Sequence, residues 1–446
     1  MQSTNPARVL ASAQLISSVG DGAYYVSSAL YFTLVVGLSP AQVGLGLTVS
    51  WAVGSVAGVA LGHLADRRGP RGTAVLLALG TAASVTAFLF VGSVVAFVIA
   101  ACAYACFQCG LGAARQALLA GLIDPAERTT FRARLQAMSN AGIAVGAALG
   151  GIALAVGTRE AYLAVFVVDA LGFVAAAAVL RGAPEVRTAR VRSGEPSMAV
   201  LRDRPYALLA LLNMIMLLYM PLFSLVIPLW ISTRTAAPTW LVSAMLVLNT
   251  ASVVIFQVRV ARGVRSLGAA SRYARHAGLL LFVSCLVFAF SALSESAWLA
   301  ALVLLAGAAL QVVGEMAQAA GSWEIGFGLA PDGKQGQYQG LFGAGTAIAR
   351  MLGPVLLTGL ILTGGMVGWV VLGGLFLLAG VLTAPAVRWA ERNRRPAMAA
   401  GRYCDPTATV RQCVVPRGDD TGGRVPVASD ETGHLTDVVT CGRSAG

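Results

Sequence analysis

Charged residues are scarce in this sequence. They make up 12% of its 446 residues, whereas a soluble globular domain usually contains about 25%. Lys334 is the only lysine. This scarcity argues against an ordinary water-soluble domain. The uncharged runs between the remaining charges are long enough to cross a bilayer, which takes about 20 apolar residues.

Residue patterns for several kinds of chemistry are also missing. No G-x-x-x-x-G-K-[ST] phosphate loop is present, so an ATP-driven pump is not expected. The three histidines, His63, His276 and His434, do not join serine and aspartate in a catalytic pattern. Cys106 and Cys109 have the spacing of a metal or redox pair, but no second pair supports them. We therefore expect no enzyme activity, no metal site and no cofactor.

The apolar runs predict an all-α integral membrane protein. Hydrophobic residues make up 57% of the sequence, and its mean hydropathy is +0.75. The predicted spans are 9–36, 42–63, 73–92, 94–122, 136–157, 161–180, 206–231, 239–259, 274–292, 297–325, 340–363 and 366–387. These runs predict about twelve transmembrane helices.

Arginine is distributed unevenly between the loops on the two predicted sides of the membrane. The loops on one side contain Arg8, Arg67, Arg68, Arg71, Arg128, Arg132, Arg134, Arg262 and Arg265, and the other side has only Arg159 and Arg234. Because basic loops stay cytoplasmic, both termini are predicted to be cytoplasmic. The same distribution argues against nucleic acid as a partner despite the net charge of +12, because the basic residues form neither one face nor one tail.

The sequence divides into four predicted segments. Residues 1–180 and 206–390 are two six-helix bundles, residues 181–205 are a cytoplasmic linker, and residues 391–446 are a disordered cytoplasmic tail with no apolar periodicity. A faint repeat relates the halves, because Pro125-Ala-Glu-Arg precedes span five and Pro331-Asp-Gly-Lys precedes span eleven. Duplicated halves are common in transporters, where one bundle rocks against the other.

A motif between spans two and three reads Gly62-His-Leu-Ala-Asp66-Arg67-Arg-Gly69-Pro-Arg71-Gly. It resembles the loop signature of the major facilitator superfamily, G-x-L-A-D-R-x-G-x-R. The resemblance extends over about residues 8 to 390. It implies two six-helix bundles with both termini cytoplasmic, and secondary transport by alternating access.

The resemblance also implies a role for this motif, because in the family the loop latches the cytoplasmic gate. Asp66 would be the acid of the latch, and Arg71 would pair with Asp124 at the end of span four. The simpler alternative is that the loop only fixes the topology. The corresponding loop of the second half, Arg262 to Gly268, contains no acid, so we expect the latch to be asymmetric.

Span five is rich in glycine. Gly142, Gly146, Gly150 and Gly151 resemble the antiporter signature of family exporters, G-x-x-x-G-P-x-x-G-G, with Ala147 where proline is usual. Small residues at every fourth position also allow close helix packing, which is the competing explanation.

Span four differs from the family's proton-coupled exporters. Those proteins carry an arginine just before a Gln-Gly pair, whereas the nearest stretch here contains Gln108 without that arginine. Arg115 lies two turns further along the span and is a candidate substitute.

Five ionisable residues fall well inside predicted spans, away from the span ends: Asp21, Arg115, Asp169, Glu315 and Arg350. Such residues usually face a bundle interior or a water-filled cavity. In the family, spans one, four, seven and ten line the central cavity, and three of these residues fall on those spans. Asp21 or Glu315 is predicted to bind a proton or substrate. The alternative is a structural pair, Asp21 with Arg115 or Glu315 with Arg350, and Asp169 is predicted to be structural.

Other polar and aromatic residues are weaker cavity candidates. On span ten, Gln311, Glu315 and Gln318 recur at helical spacing and therefore share one face. Tyr25 and Asn213 are further candidates.

Two details of the spans carry predictions of their own. Gly20 and Gly22 flank Asp21 and are predicted to loosen the helix there, as in the discontinuous helices of transporters. Trp323 is predicted to anchor span ten at the membrane interface.

These patterns predict proton-coupled efflux of a small, partly apolar compound, such as a drug or natural product. Uptake or facilitated diffusion of a metabolite is one alternative, and a membrane sensor or assembly protein without transport activity is another. The expected partners are a small-molecule substrate, protons and the lipid bilayer, for a monomer with multiple spans in the inner membrane.

Overall fold

The computed structural model describes residues 5–186 and 198–399, which are helical and contain no strand. The first half consists of α1 (Pro6–Leu30), α2 (Pro40–Arg68), α3 (Pro70–Phe88), α4 (Val94–Leu122), α5 (Arg128–Val156) and α6 (Arg159–Arg181). The second half consists of α7 (Arg204–Arg234), α8 (Leu241–Arg262), α9 (Leu267–Phe290), α10 (Ala297–Gly328), α11 (Gln335–Leu357) and α12 (Gly364–Ala399). Residues 391–399, predicted to belong to the disordered tail 391–446, instead form the last turns of α12. The rest of that predicted tail, and residues 187–197 of the predicted linker, lie outside the described residues.

Three of these helices are irregular. Helix α7 joins Arg204–Met216 to Ile227–Arg234 through a 3₁₀ turn and a π turn, and π turns also follow α1 and α11. The path from α11 to α12 breaks at Gly365, where φ is 56° and ψ is −132°, a conformation that glycine adopts readily.

The described helices confirm an all-α membrane protein. Ten helices are long and apolar enough to cross a membrane by length and composition, when the run from α11 to α12 is counted as one. Helix α1 is not among these ten. The total of twelve spans stays a prediction.

Side chains next to the helix starts explain where several helices begin. Ser39 and Gln42 form a capping box at the start of α2, and Ser93 and Ser296 accept hydrogen bonds from the first turns of α4 and α10. Asp203 does the same for α7. These caps satisfy amide groups that have no partner within the helix.

The motif predicted as a loop between spans two and three is mostly helical. Residues 62 to 68 form the last turns of α2, and α3 begins at Pro70. Gly69 alone separates the two helices, with φ at 96°. The helix extends further than its apolar run because polar residues suit a helix end that projects beyond the hydrocarbon core.

Helices of the two halves pack against each other as well as within each half. In the first half α1 packs on α5 and α6, and α2 on α4. Between the halves, α2 and α4 pack on α11, and α5 packs on α8 and α10. Helices α2, α8 and α10 end, and helices α3, α5 and α11 begin, at the same end of the bundle. We call it the basic end because five arginines lie there: Arg67, Arg68, Arg128, Arg262 and Arg265.

Candidate functional site

Asp66 joins the two halves at the basic end. Its Oδ1 atom accepts a hydrogen bond from the amide of Gly336 at 2.6 Å, and its Oδ2 atom accepts one from the amide of Gln337 at 2.9 Å. Both amides belong to the first turn of α11, whose N-cap residue Lys334 provides no side-chain cap. The carboxylate of one half therefore caps a helix of the other half, where its negative charge also complements the helix dipole.

The backbones of α2 and α11 are in close contact beside this cap. A Cβ atom on Gly340 would lie 2.5 Å from the carbonyl oxygen of Gly58 and 2.9 Å from the Cα atom of Val59. A Cβ atom on Gly62 would collide with the carbonyl of Gly336. Both helices thus carry two glycines four residues apart, which lets the backbones approach. Sequence reasoning selected Gly62 and missed the other three glycines, although their spacing was visible.

Arg71 does not pair with Asp124, so that prediction was wrong. Arg71 forms an ion pair with Glu185 and donates a hydrogen bond to the carbonyl of Ala183 at 3.1 Å. Both partners follow α6, so Arg71 holds the start of the linker. Arg67 and Asp124 are exposed at the basic end.

A second contact between the halves joins α5 to α10. The Thr129 hydroxyl donates a hydrogen bond to Glu324 Oε2 at 2.6 Å. Next to it, the guanidinium carbon of Arg132 lies 5.0 Å from the ring centroid of Trp323, a cation–π contact. Trp323 packs between hydrophobic clusters of both halves. Trp323 therefore packs between the halves, and its role as an anchor at the membrane interface stays a prediction.

Asp21 lies midway along α1. Its Oδ1 atom accepts a hydrogen bond from Gln108 Nε2 at 3.0 Å and lies 3.5 Å from the hydroxyl of Tyr104. Both partners are on α4. The hydrogen bond from Gln108 brings together two of the predicted candidates, Asp21 and Gln108. The side chain of Asp21 is partly exposed.

The glycines beside Asp21 do not interrupt the helix, contrary to prediction, because α1 is continuous through them. A Cβ atom on Gly20 would lie 2.8 Å from the Cα atom of Asp169, and one on Gly22 would lie 2.7 Å from the Cα atom of Ile143. These glycines therefore allow α6 and α5 to pack closely on α1.

Two arginines lie near Asp21 and come from different halves. Arg115 of α4 donates hydrogen bonds to Ser17 Oγ at 3.2 Å and Gln14 Oε1 at 3.4 Å. The guanidinium carbon of Arg350 of α11 lies 5.7 Å from the ring centroid of Tyr25 and 5.4 Å from that of Trp51.

Both arginines interact electrostatically with Asp21. However, among the described residues no ion pair within 4.0 Å joins Asp21 to Arg115 or Glu315 to Arg350. The predicted alternative of a close structural pair is therefore not formed.

Asp169 is fully buried on α6. Its two carboxylate oxygens have no hydrogen-bond partner among the described residues. It lies against Gly20 of α1 and interacts electrostatically with Asp21, so the two acids occupy neighbouring positions.

The second half has its own partly exposed acid, Glu315 of α10. Its Oε2 atom accepts a hydrogen bond from Asn249 Nδ2 of α8 at 2.8 Å, a partner that the sequence analysis did not identify. On the same helix, buried Gln318 donates to Asn213 Oδ1 of α7 at 2.8 Å. Gln311 is also buried, and its amide has no partner in the described part of the chain. The predicted polar face thus consists of one partly exposed acid between two buried amides.

The glycines of the antiporter-like helix lie mainly in a packing interface. A Cβ atom on Gly146 would lie 2.9 Å from the amide nitrogen of Ala23, and one on Gly150 would lie 2.8 Å from the carbonyl oxygen of the same residue. One on Gly142 would lie 2.9 Å from the Cβ atom of Ser18. Gly151 faces open space. Three of the four glycines therefore bring α5 against α1, as the competing explanation predicts.

Within residues 5–186 and 198–399, no group of three or more His, Cys, Asp or Glu side chains could hold a metal ion. Of the ionisable residues predicted inside spans, Arg115, Asp169 and Arg350 interact with Asp21, whereas Glu315 is bonded to the amide of Asn249.

A family model described as Major Facilitator Superfamily matches residues 10–354. No curated protein sequence matches the chain.

Solved structures of transporters share the fold. The human organic anion transporter MFSD10 has 16% identity and a TM-score of 0.62, over 86% of this chain and 100% of that one. A bacterial homologue of the iron transporter ferroportin, in an outward-facing state, has 16% identity and a TM-score of 0.68, over 86% and 99%. The fucose:proton symporter of E. coli has 12% identity and a TM-score of 0.62, over 87% and 99%. At such identities the likeness concerns the fold alone.

Proposed function

Because the chain belongs to the major facilitator superfamily, whose members are transporters, we propose that it exports a small, partly apolar compound in exchange for protons. The bundles 1–180 and 206–390 would rock about the central residues, joined by the linker 181–205. We place the protein in the inner membrane as a monomer with its basic end in the cytoplasm, because arginine-rich loops stay on that side.

The observation that supports this proposal is that Asp21 interacts electrostatically with an arginine from each half. Arg115 belongs to the same half as Asp21, whereas Arg350 belongs to the opposite half. When the halves rock, Arg115 moves with Asp21 and Arg350 moves relative to it. The electrostatic surroundings of Asp21 therefore differ between the two ends of the transport cycle.

This difference provides a way to couple protons to the movement. A carboxylate in a poorly hydrated site requires a positive neighbour, hydrogen bonds or a proton. In the arrangement described here, the Asp21 carboxylate accepts a hydrogen bond from the Gln108 amide and has the positive charges of Arg115 and Arg350 nearby. If Arg350 withdraws, a proton takes its place, so the protonated and ionised forms favour different arrangements of the halves.

Glu315 is a second candidate within the same proposal. It is partly exposed and has one hydrogen-bond donor, Asn249. With an acid in each half, one acid would bind the proton and the other would contact the substrate.

The partly apolar character of the substrate is proposed from the surroundings of Arg350. Tyr25 is exposed to 40% of its surface, and Trp51 is partly exposed beside the same guanidinium group. Aromatic rings next to a cation suit a compound with both apolar and polar parts.

The first test is growth of an efflux-deficient bacterium that expresses the chain, on a panel of toxic compounds. We expect resistance to a few compounds, lost in Asp21→Asn. Glu295→Gln is the matched control, because it removes an exposed acid from the connection between α9 and α10. Equal resistance with Asp21→Asn and wild type, at equal expression, would reject the role of Asp21.

A second test separates export from the alternatives. Purified protein in vesicles receives a proton gradient of either direction, while the compound found in the screen and the internal pH are followed. Exchange predicts that protons and compound move in opposite directions. Movement in the same direction would indicate uptake, and no movement of solute at all would favour a sensor or assembly protein.

A further inference from the structure

A groove of about 370 Å³ lies at the basic end, between the first turns of α5 and the connection from α8 to α9. Its lining residues are Ala126, Glu127, Thr130, Phe131, Arg134, Arg262 and Arg265. Three of the seven are arginines and one is an acid. The groove therefore has an excess of positive charge.

The arginines come from both halves of the protein. Arg134 belongs to α5, and Arg262 and Arg265 belong to the end of α8 and the connection that follows. Closing the basic end therefore brings like charges together, which opposes closure unless a counter-charge is present.

The described residues do not provide enough counter-charge. The guanidinium groups of Arg134 and Arg262 have no hydrogen-bond partner within residues 5–186 and 198–399, and both side chains are exposed. The Nε atom of Arg265 donates to the carbonyl of Arg262 at 3.2 Å, which holds its side chain without neutralising it. Glu127 supplies a single negative charge.

The two halves differ in the charge of the connection at the basic end, and a bound anion would supply the negative charge that the second half lacks. The connection between α2 and α3 has Asp66 beside it, and this acid contacts α11 of the opposite half. The corresponding connection between α8 and α9 contains no acid and presents two arginines towards α5.

We infer that this groove binds an anionic phosphate group, and that the bound anion stabilises the closed basic end. Arginine is suited to this ligand because its fork of donors matches phosphate oxygens. Arg134 lies six residues into α5, about 9 Å from the helix start. The apolar groups of Ala126 and Phe131 complete the groove, so an acidic phospholipid headgroup fits this chemistry, and free phosphate shares it.

The test uses the full chain in nanodiscs of phosphatidylcholine, with or without phosphatidylglycerol, or with inorganic phosphate added in solution. The variant Arg262→Gln with Arg265→Gln is compared with Arg272→Gln with Arg275→Gln. The control pair removes the same charge from exposed positions of neighbouring α9 that do not line the groove. Binding is measured as the rise in the midpoint of thermal unfolding.

Closure is measured as the distance between spin labels in a background without native cysteines. Exposed Arg181 of α6 and exposed Asn393 of α12 are each replaced by cysteine and labelled.

We expect phosphatidylglycerol to raise the midpoint and to narrow the label distances in wild type and in the control. In the double variant Arg262→Gln with Arg265→Gln, the phosphatidylglycerol concentration that gives half of the rise in the midpoint should increase about tenfold or more. The reason is that hydrogen bonds to a charged group are lost. Arg134→Gln tests the other wall and should weaken binding in the same direction.

An equal response to inorganic phosphate alone would assign the site to free phosphate rather than to lipid. The inference is overturned if phosphatidylglycerol has no effect on wild type, or if the groove and control variants respond equally. Neither result would bear on proton-coupled export, since resistance and vesicle transport are measured separately.

Discussion

The carboxylate of Asp66 caps a helix that belongs to the opposite half of the protein, with its Oδ1 atom 2.6 Å from the amide nitrogen of Gly336. The capped helix, α11, has no side-chain cap from its own N-cap residue. Separating the halves at the basic end would therefore leave both the carboxylate and the helix terminus without their partners. This contact favours the arrangement in which the basic end is closed.

Asp66→Asn is expected to weaken this closure. The amide side chain retains one acceptor oxygen but loses the charge, so we expect a loss of about 1–2 kcal/mol, or roughly a tenfold shift towards the open basic end. Distances between spin labels at positions 181 and 393 measure the shift. Asp332→Asn, which removes an exposed acid at the same end, should leave the distribution unchanged; a matching shift would mean that net charge, rather than the cap, controls closure.

Gly340→Ala tests the close approach of α2 and α11. Its new Cβ atom would lie 2.5 Å from the carbonyl oxygen of Gly58, so the helices must move apart at a cost of about 1–3 kcal/mol. Gly343→Ala is the control, because its Cβ atom on the same helix meets open space. Both changes raise helix propensity equally, by about 1 kcal/mol. Lower transport and wider label distances are expected for Gly340→Ala alone, and equal behaviour would show that this contact is not needed.

Thr129→Val removes the second contact between the halves. The change keeps the shape of the side chain and deletes the donor to Glu324, which should cost about 1 kcal/mol or more. Because α5 and α10 form a contact separate from that of α2 and α11, we expect the effect to add to that of Asp66→Asn. Thr48→Val is the control, since that hydroxyl bonds within its own helix. A double variant no more open than Asp66→Asn would indicate one contact rather than two.

Gly146→Ala and Gly151→Ala distinguish packing from a special role in export. The first change places a Cβ atom 2.9 Å from the amide nitrogen of Ala23, whereas the second meets open space. Packing predicts that Gly146→Ala lowers the midpoint of thermal unfolding by several degrees and that Gly151→Ala does not. Loss of transport in Gly151→Ala with unchanged stability would instead support a specific role of this helix in export.

Patterns within short segments predicted the fold well. Long apolar runs, arginine-rich connections and the motif around Asp66 were enough to identify the family and to select an acid that joins the halves. These features depend on hydropathy and on spacing within about ten residues, which can be read directly along a sequence.

The partners of individual residues were predicted poorly. Arg71 was assigned to Asp124 but pairs with Glu185, and the contact between Thr129 and Glu324 was not foreseen. Glu324 lies 195 positions from Thr129, so only the packing of the halves brings them together. Gly20 looked like a point of flexibility, but the buried Asp169 next to it explains it as a point of close packing. Such pairings depend on the rotation of whole helices, which local patterns do not determine.

The donors to Asp66 are main-chain groups of residues 336 and 337. Every amino acid except proline supplies the same N–H group, so alanine scanning of α11 would remove neither donor. At Gly336, however, a Cβ atom would lie 2.8 Å from the Oδ1 atom of Asp66, so the missing side chain is what lets the carboxylate reach this amide. Asp66 is the only residue whose side chain forms these two bonds, whereas Gly336 contributes through the side chain that it lacks. The substitution Gln337→Pro would remove the donor to the Oδ2 atom directly, because proline has no N–H group.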